Sequence, residues 1–355
     1  MEYISAKEAA KNWGISQRRV SVLCSEHRIR DVQMVGNTWI IPADANKPVD
    51  ARCIENKRID PPGVKPFLKW AGGKGQLLKE IQHYYPFEHG IKKYAEPFIG
   101  GGAVLFDILN KYQLDEIYIS DTNAELINTY RIIRDDIEKL IELLASMQEE
   151  FISMALDDRK NYYMGKRALF NSLKVNTDES TNIQKAALMI FLNKTCFNGL
   201  YRVNKKGFFN VPMGSYKKPL ICDETNLRAI SSKLKNVIIV CGDYTESRNF
   251  IDENTFVYFD PPYRPLTTTS SFTAYTENTF TDNEQIALAT FVEQLHKKGA
   301  KIVVSNSDPK NTDSDDEFFD NIYASYHIVR VDATRMINSN SKARGKIKEI
   351  IISNF

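Results

Sequence analysis

The chain of 355 residues is poor in the patterns that hold small disulfide-bonded folds and metal centres together. Its five cysteines, at positions 24, 53, 196, 222 and 241, are odd in number and form no C-x-x-C pair, and its five histidines show no H-x-x-x-H spacing. Neither a disulfide framework nor a metal site is expected, and the thiols are expected to be reduced. No apolar run approaches the roughly 18 residues of a membrane span. The opening MEYISAKEAA lacks the charged-then-apolar order of a secretory signal, so a cytoplasmic protein with no membrane partner is expected. A Walker A sequence is missing as well. In FLKWAGGKGQLL, residues 67–78, Lys74 is followed by Gly75 instead of Ser or Thr, which argues against ATP hydrolysis. There is no G-x-G-x-x-G of the kind that cradles a dinucleotide pyrophosphate. Charge of one sign is not in surplus: 47 basic against 45 acidic residues leave +2, so its distribution along the chain matters more than its total.

What is present is a folded, multi-part chain. Apolar residues make up 43% and charged residues 26%, and the length exceeds a single core, so one large α/β domain with smaller modules is expected. Residues 1–45 read as a module of their own. Ser5 and Glu8 form a capping box that opens a helix through about Trp13, Gly14 stops it, and Ser16 caps a second helix starting Gln17-Arg18-Arg19. VQMVGNTWIIP then reads as two short strands around Gly36-Asn37. This pattern resembles the winged helix-turn-helix modules of excisionase and MerR-type proteins. The resemblance implies a second helix in a DNA major groove, with Arg18 and Arg19 on phosphates or bases. Residues 46–65 have the composition of a linker.

Beyond the linker, strand-like and helix-like segments alternate: KKYAEPF, AVLFDIL, DEIYISD and the long AELINTYRIIRDDIEKLIELLASM, then NVIIVCGD, TFVYFDPPY, NEQIALATFVEQLHKK and AKIVVSN, closing with YHIVRVDA and KIKEIIISNF. Such alternation implies a mostly parallel, Rossmann-like sheet with helices on both faces. It is assigned to residues 66–149 and 231–355, interrupted by a mainly helical insertion at 150–230. Two stretches are basic without an acid, Lys194–Cys222 and Ala333–Lys348, and the first interleaves its six basic residues with five aromatic ones, which favours nucleic acid.

Two constellations carry chemistry. In AEPFIGGGAVLF a strand ending Glu96-Pro97-Phe98 meets Gly100, Gly101 and Gly102 and then a helix, and Asp121 closes the next strand 20 residues after Gly101. Glycines let a ligand approach the backbone and the carboxylate accepts ribose hydroxyls, so a nucleoside cofactor without a diphosphate fits. The second is the corner Asp260-Pro261-Pro262-Tyr263. An exocyclic nucleobase amine is a poor nucleophile because its lone pair is delocalised. The Asp260 carboxylate and the Pro261 carbonyl, aimed by two ring-locked prolines, would accept its two hydrogens, and the Tyr263 ring would stack on an extruded base.

FLKWAGGK, EPFIGGGAV, NGLYRVNKKGFFNVP and DPPY, in this order over residues 66–355, resemble the Dam-type, D12 class (α group) adenine-N6 DNA methyltransferases. The resemblance implies S-adenosyl-L-methionine as cofactor, double-stranded DNA as substrate, base flipping and a GATC target. It also implies a site-specific enzyme within a restriction-modification system, with a cognate endonuclease that it need not touch. Residue by residue it implies Trp70, Gly73, Lys74, Glu96, Phe98 and Gly100 around the cofactor, Asp121 on its ribose, Asp243 facing its adenine, and Asp260 close to it. On DNA it implies Lys69, Phe197 as a wedge, Asn198, Arg202 on a guanine edge, and Leu200 and Pro212 as apolar neighbours. SSFTAYTENTFT is similar to a loop that closes on DNA, and Ser215 stands where arginine is common, which touches the outer bases of the target. A cytosine-N4 methyltransferase would usually carry serine in place of Asp260, and an NAD-dependent oxidoreductase would not explain the proline corner. A DNA-binding regulator with a decayed methyltransferase domain is the remaining alternative.

Overall fold

β-Branched and aromatic residues dominate the segments that pair into sheets, and their spacing sets the architecture. A computed structural model describes residues 3–25, 29, 31–36, 38–43, 45, 47, 63–70, 72–175, 178–264, 280–334 and 346–355. The closing-loop segment apart from Phe280 and Thr281, most of the linker and most of the second basic stretch lie outside these residues. The chain divides into two compact units, Met1–Gly63 and Val64–Phe355.

In the first unit, strand β1 (Tyr3–Ser5) leads into helix α1 (Ala6–Trp13). The Ser5 hydroxyl accepts the Glu8 N–H at 3.2 Å while the Glu8 carboxylate accepts the Ser5 N–H at 2.9 Å, closing the capping box. Gly14, at φ 65°, ends the helix in the left-handed region. Helix α2 (Gln17–Ser25) follows, and β2 (Gln33–Val35) pairs antiparallel with β3 (Thr38–Pro42). Strand β1 was not expected. It pairs with β3, Ile4 opposite Ile41, and at three residues it is too short to show an alternating pattern.

In the second unit, strands β4 (Lys93–Glu96), β5 (Glu116–Asp121), β6 (Val237–Cys241), β7 (Thr255–Phe259), β8 (Lys301–Ser307), β9 (His327–Thr334) and β10 (Lys346–Ser353) form one sheet ordered β6-β5-β4-β7-β8-β10-β9. Neighbours from β6 to β8 run parallel, and β10 lies antiparallel between β8 and β9. Alternate residues face opposite layers: Tyr94, Ile119, Phe256 and Tyr258 join one apolar cluster, and Ala95, Tyr118, Val257 and Phe259 the other. β7 is buried along its whole length, as a central parallel strand covered on both faces must be.

Helices α3 (Leu78–Gln82), α4 (Ala103–Lys111), α5 (Ala124–Asp135), α6 (Ile137–Ser153), α7 (Leu156–Lys174), α8 (Asn182–Thr195), α9 (Glu224–Leu234), α10 (Asp282–Lys297) and α11 (Phe318–Ile322) surround or extend it. The long segment after β5, read from the sequence as one helix, breaks at Asp136 (φ −131°, ψ 42°) into α5 and α6. Ala186 to Asn193 of α8 are all buried, and α8 packs on α5, α6 and α7, so the helical part of the 150–230 stretch shares the core of the sheet.

Candidate active site at the ends of β4 and β7

The chain runs outward from β4 through β5 to β6 and then returns to start β7 on the other side of β4, so the order reverses between β4 and β7. Ligands of open α/β sheets bind in the crevice beyond the carboxyl ends of such strands. Ala95 lies opposite Val257, so Glu96-Pro97 and Phe259-Asp260 leave the sheet side by side. The glycine turn and the proline corner, 160 residues apart from Gly100 to Asp260, are thereby brought together.

At the corner, Asp260 Oδ1 accepts from Lys74 Nζ at 2.8 Å and from the Ser305 hydroxyl at 3.0 Å. Lys74 is only 4% exposed, and its ammonium also donates to the Gly72 carbonyl at 2.7 Å and lies 4.5 Å from the centre of the Tyr263 ring. Burial pushes the Asp260 carboxyl above the usual carboxylate range, and the Lys74 charge pulls it back. The Tyr263 hydroxyl donates to Glu349 of β10, another carboxyl raised by burial and opposed by Lys74. Pro261 is buried and Pro262 exposed. The Pro262 carbonyl accepts from Gln285 Nε2 at 3.1 Å, and Arg264 bridges Asp282 and Asp316 at 2.7 and 2.6 Å, so α10 and the segment before α11 brace the turn.

At the glycine turn, Asp121 Oδ2 accepts the Gly100 N–H at 3.1 Å and Oδ1 the Asn123 N–H at 2.9 Å. These donors oppose the burial that raises the Asp121 carboxyl. Gly100 has φ 45°, and a Cβ there or at Gly101 would stand 2.9 Å from Trp70, so the indole is pressed against bare backbone. Gly73 donates its N–H to the Trp70 carbonyl at 3.1 Å. Glu96 is fully inside, accepting the Tyr94 hydroxyl at 2.8 Å, and burial raises it well above its ordinary value. Asp243 is exposed just beyond β6, its Oδ1 accepting the Thr245 N–H at 3.0 Å, and the neighbouring Gly242 donates its N–H to the Asp121 carbonyl at 3.1 Å. Phe98 stacks on Tyr244 at 5.4 Å.

The residues assigned to DNA in the second unit gather around one loop. Phe197 is 53% exposed on a single 3₁₀ turn, Phe197–Gly199, where Asn198 has φ 56°. The Phe197 N–H donates to the carbonyl of the exposed Pro212 at 2.9 Å. Leu200 is half-buried against the core, and the exposed Arg202 donates Nε to Asn210 at 2.8 Å. The exposed Lys69 lies with Nζ 5.0 Å from the Tyr216 ring centre. Arg18, exposed, and Arg19, half-buried, belong to α2 of the first unit. Sequence reasoning missed Ser305, Glu349 and Asn193. The sequence showed only that Ser305, Asn306 and Ser307 end an apolar strand run, without naming their partners; the structure buries all three, at 0%, 0% and 6% exposure.

Residues 70–337 match the family described as D12 class N6 adenine-specific DNA methyltransferase. The chain is 50% identical over 296 residues to Type II methyltransferase M.MjaIII of Methanocaldococcus jannaschii, covering 82% of this chain and 99% of that protein. It is 38% identical over 294 residues to Type II methyltransferase M1.LlaDCHI of Lactococcus lactis subsp. cremoris, covering 82% and 96%. It is 33% identical over 285 residues to the DNA adenine methylase of Escherichia coli K12, covering 80% and 93%. The chain therefore belongs to the D12 class of N6 adenine-specific DNA methyltransferases. It is an enzyme that methylates adenine in DNA, and the comparison sets aside a cytosine-N4 specificity. Among the described residues no helix is long and apolar enough to cross a membrane.

Proposed function

We propose that the enzyme moves the methyl group of S-adenosyl-L-methionine to N6 of an adenine everted from double-stranded DNA, within GATC, by direct in-line displacement. The observation that carries the reading is the placement of Asp260, gripped by Lys74 and Ser305, beside the glycine turn. The residues present fit the cofactor. The bare backbone of Gly100 and Gly101 against Trp70 leaves a wall that a Cβ would crowd, and the Asp121 carboxylate at the end of β5 is an acceptor suited to ribose hydroxyls. Trp70, Gly73, Lys74, Glu96, Phe98 and Gly100 would form the pocket, with Asp121 at the ribose and Asp243 at the adenine end. Bound there, the cofactor supplies an electrophilic sulfonium methyl group.

The protein's share of the chemistry is orientation and charge. Asp260 and the Pro261 carbonyl accept the two N6 hydrogens and favour the pyramidal, nucleophilic amine. Pro261 and Pro262 fix the direction of those acceptors, and Tyr263 holds the base by stacking. As N6 takes the methyl group it becomes an ammonium; Asp260 stabilises that charge and accepts a proton from it, while Lys74 keeps the carboxylate ionised beforehand. Phe197 fills the gap that the base leaves, Asn198 and Arg202 read neighbouring bases, Leu200 and Pro212 pack beside them, and Lys69 meets the DNA backbone. The sequence NGLYRVN supports GATC. Two of the relatives are named type II methyltransferases. They support a role in protecting DNA from a companion endonuclease of the same specificity. In the first unit, α2 with Arg18 and Arg19 would enter a major groove as a second DNA contact. The decayed-regulator alternative is disfavoured because Lys74, Asp121, Asp260 and Tyr263 are all present and the first three are in mutual or backbone contact at the site.

The test is Asp260→Ala. Duplex binding is expected to persist while methyl transfer, read as N6-methyladenine by mass spectrometry, falls below detection. Undiminished transfer refutes the assignment. Methylation-sensitive sequencing of DNA from cells expressing the wild type checks GATC in the same experiment.

A further inference from the structure

The loop carrying Phe197 and the wall carrying Trp70 are joined by one buried side chain that belongs to neither. Asn193, near the end of α8, is 3% exposed. Its amide pairs with the main chain of Lys69 as a neighbouring strand would: Oδ1 accepts the Lys69 N–H at 2.9 Å and Nδ2 donates to the Lys69 carbonyl at 2.8 Å. The other Nδ2 hydrogen goes to the Gly199 carbonyl at 2.9 Å. Three bonds thus bind two segments far apart in sequence to one rigid helix.

Each segment leads to a different ligand site. Gly199 closes the turn that presents Phe197. Lys69 precedes Trp70, whose indole abuts Gly100 and Gly101 on one side and stacks on Tyr201 at 5.4 Å and 23° on another. A Cβ on Gly199 would come within 2.5 Å of Lys69 Cδ, so the lysine stem rests directly on the turn. Displacing the Phe197 turn must therefore move Lys69 and Trp70 with it or strand buried polar groups without partners.

We infer that Asn193 couples the two sites, so that DNA seated on the Phe197 loop and a nucleoside cofactor against Trp70 raise each other's affinity. The inference rests on the assignment of those two sites under Proposed function. Asn193 is a positioning residue that touches neither ligand. Linkage requires the effect to be reciprocal: the factor by which cofactor tightens DNA equals the factor by which DNA tightens cofactor.

The experiment uses the full chain, S-adenosylhomocysteine as a non-reactive probe, and a duplex carrying the sequence that the wild type methylates. Dissociation constants for each ligand, with and without the other, give the coupling factor. For the wild type a factor of about ten is expected, inside the ordinary range for coupled sites. In Asn193→Ala it is expected to drop below about twofold, with each ligand alone binding within about threefold of wild type. Tyr201→Leu, which leaves every amide bond in place and removes the ring behind Trp70, is expected to reduce the factor too, and serves if the first variant folds poorly. A purely structural role would lower the melting temperature and leave the factor intact. That result, or a wild-type factor near one, overturns the inference. A wild type that binds neither ligand alone would instead sink the proposed function.

Discussion

Replacing Lys74 by Met keeps the apolar stem and deletes the positive charge that pairs with Asp260 at 2.8 Å. Removing one partner of a buried ion pair costs about 3–5 kcal/mol, because the other charge is left without compensation. Lys74 is 4% exposed but the Asp260 side chain is 20% exposed and keeps the Ser305 hydroxyl, which puts the expected loss at the low end, about 3 kcal/mol. For a unit running from Val64 to Phe355, about 2 °C per kcal/mol gives a fall in melting temperature of about 6 °C. The loss should depend on pH. Burial raises the Asp260 carboxyl and Lys74 opposes it, so without the lysine it rises further. A carboxyl raised on folding adds stability that is complete below its unfolded value and is lost as pH climbs through the folded one. The gap between variant and wild type should therefore be small near pH 5 and widen towards pH 8 in urea or thermal unfolding. Methyl transfer should fall at least about a hundredfold, with the acid limb of its pH profile moved upward. The double variant Lys74→Met, Asp260→Asn should regain much of the stability and none of the activity. Equal destabilisation at both pH values, or none at pH 8, would refute the reasoning.

The glycine turn and the first unit give two further tests. Gly102 has φ 69°, and a Cβ there would stand 2.5 Å from the Tyr130 hydroxyl, so Gly102→Ala should lose about 2–4 kcal/mol in urea unfolding through left-handed strain and overpacking. A variant as stable as wild type would show that the turn can relax. Deleting residues 1–58 should leave methyl transfer to short duplexes in place while weakening DNA affinity. It should also make the slope of log affinity against log salt shallower by about 1 for each phosphate no longer neutralised, one or two if Arg18 and Arg19 neutralise them. An unchanged affinity and slope would leave that unit without a DNA role.

These tests fall on groups that differ in how plainly the sequence displayed them. The sheet was legible because its strands are runs of Val, Ile, Phe and Tyr separated by helical stretches, and strand burial on both faces forces such runs. Asp121, Asp260 and the glycines stood out because each closes or follows an apolar strand run, and the strand order sets the glycine turn and the proline corner at adjoining strand ends. The break at Asp136 was read through, although Asp135-Asp136 pairs two weak helix formers of a type that favours an N-cap, because apolar residues recur at helical spacing on both sides; beyond the break α6 packs on α8. The partners of the site groups were hidden for a related reason. Ser305 lies 45 residues from Asp260, Glu349 lies 86 from Tyr263, and Asn193 lies 124 from Lys69. No local pattern records such pairs; the strand order does. β8 beside β7 delivers Ser305, and the antiparallel β10 beside β8, with Glu349 opposite Ser307, delivers the carboxylate that holds Tyr263. An acceptor and a stacking ring anchored from the strands of one sheet need no reorganisation when charge develops on the amine. Under the proposed mechanism, the antiparallel strand therefore has a part in catalysis beyond closing the sheet. It fixes the ring while β8 fixes the carboxylate, and both rest on the same rigid layer.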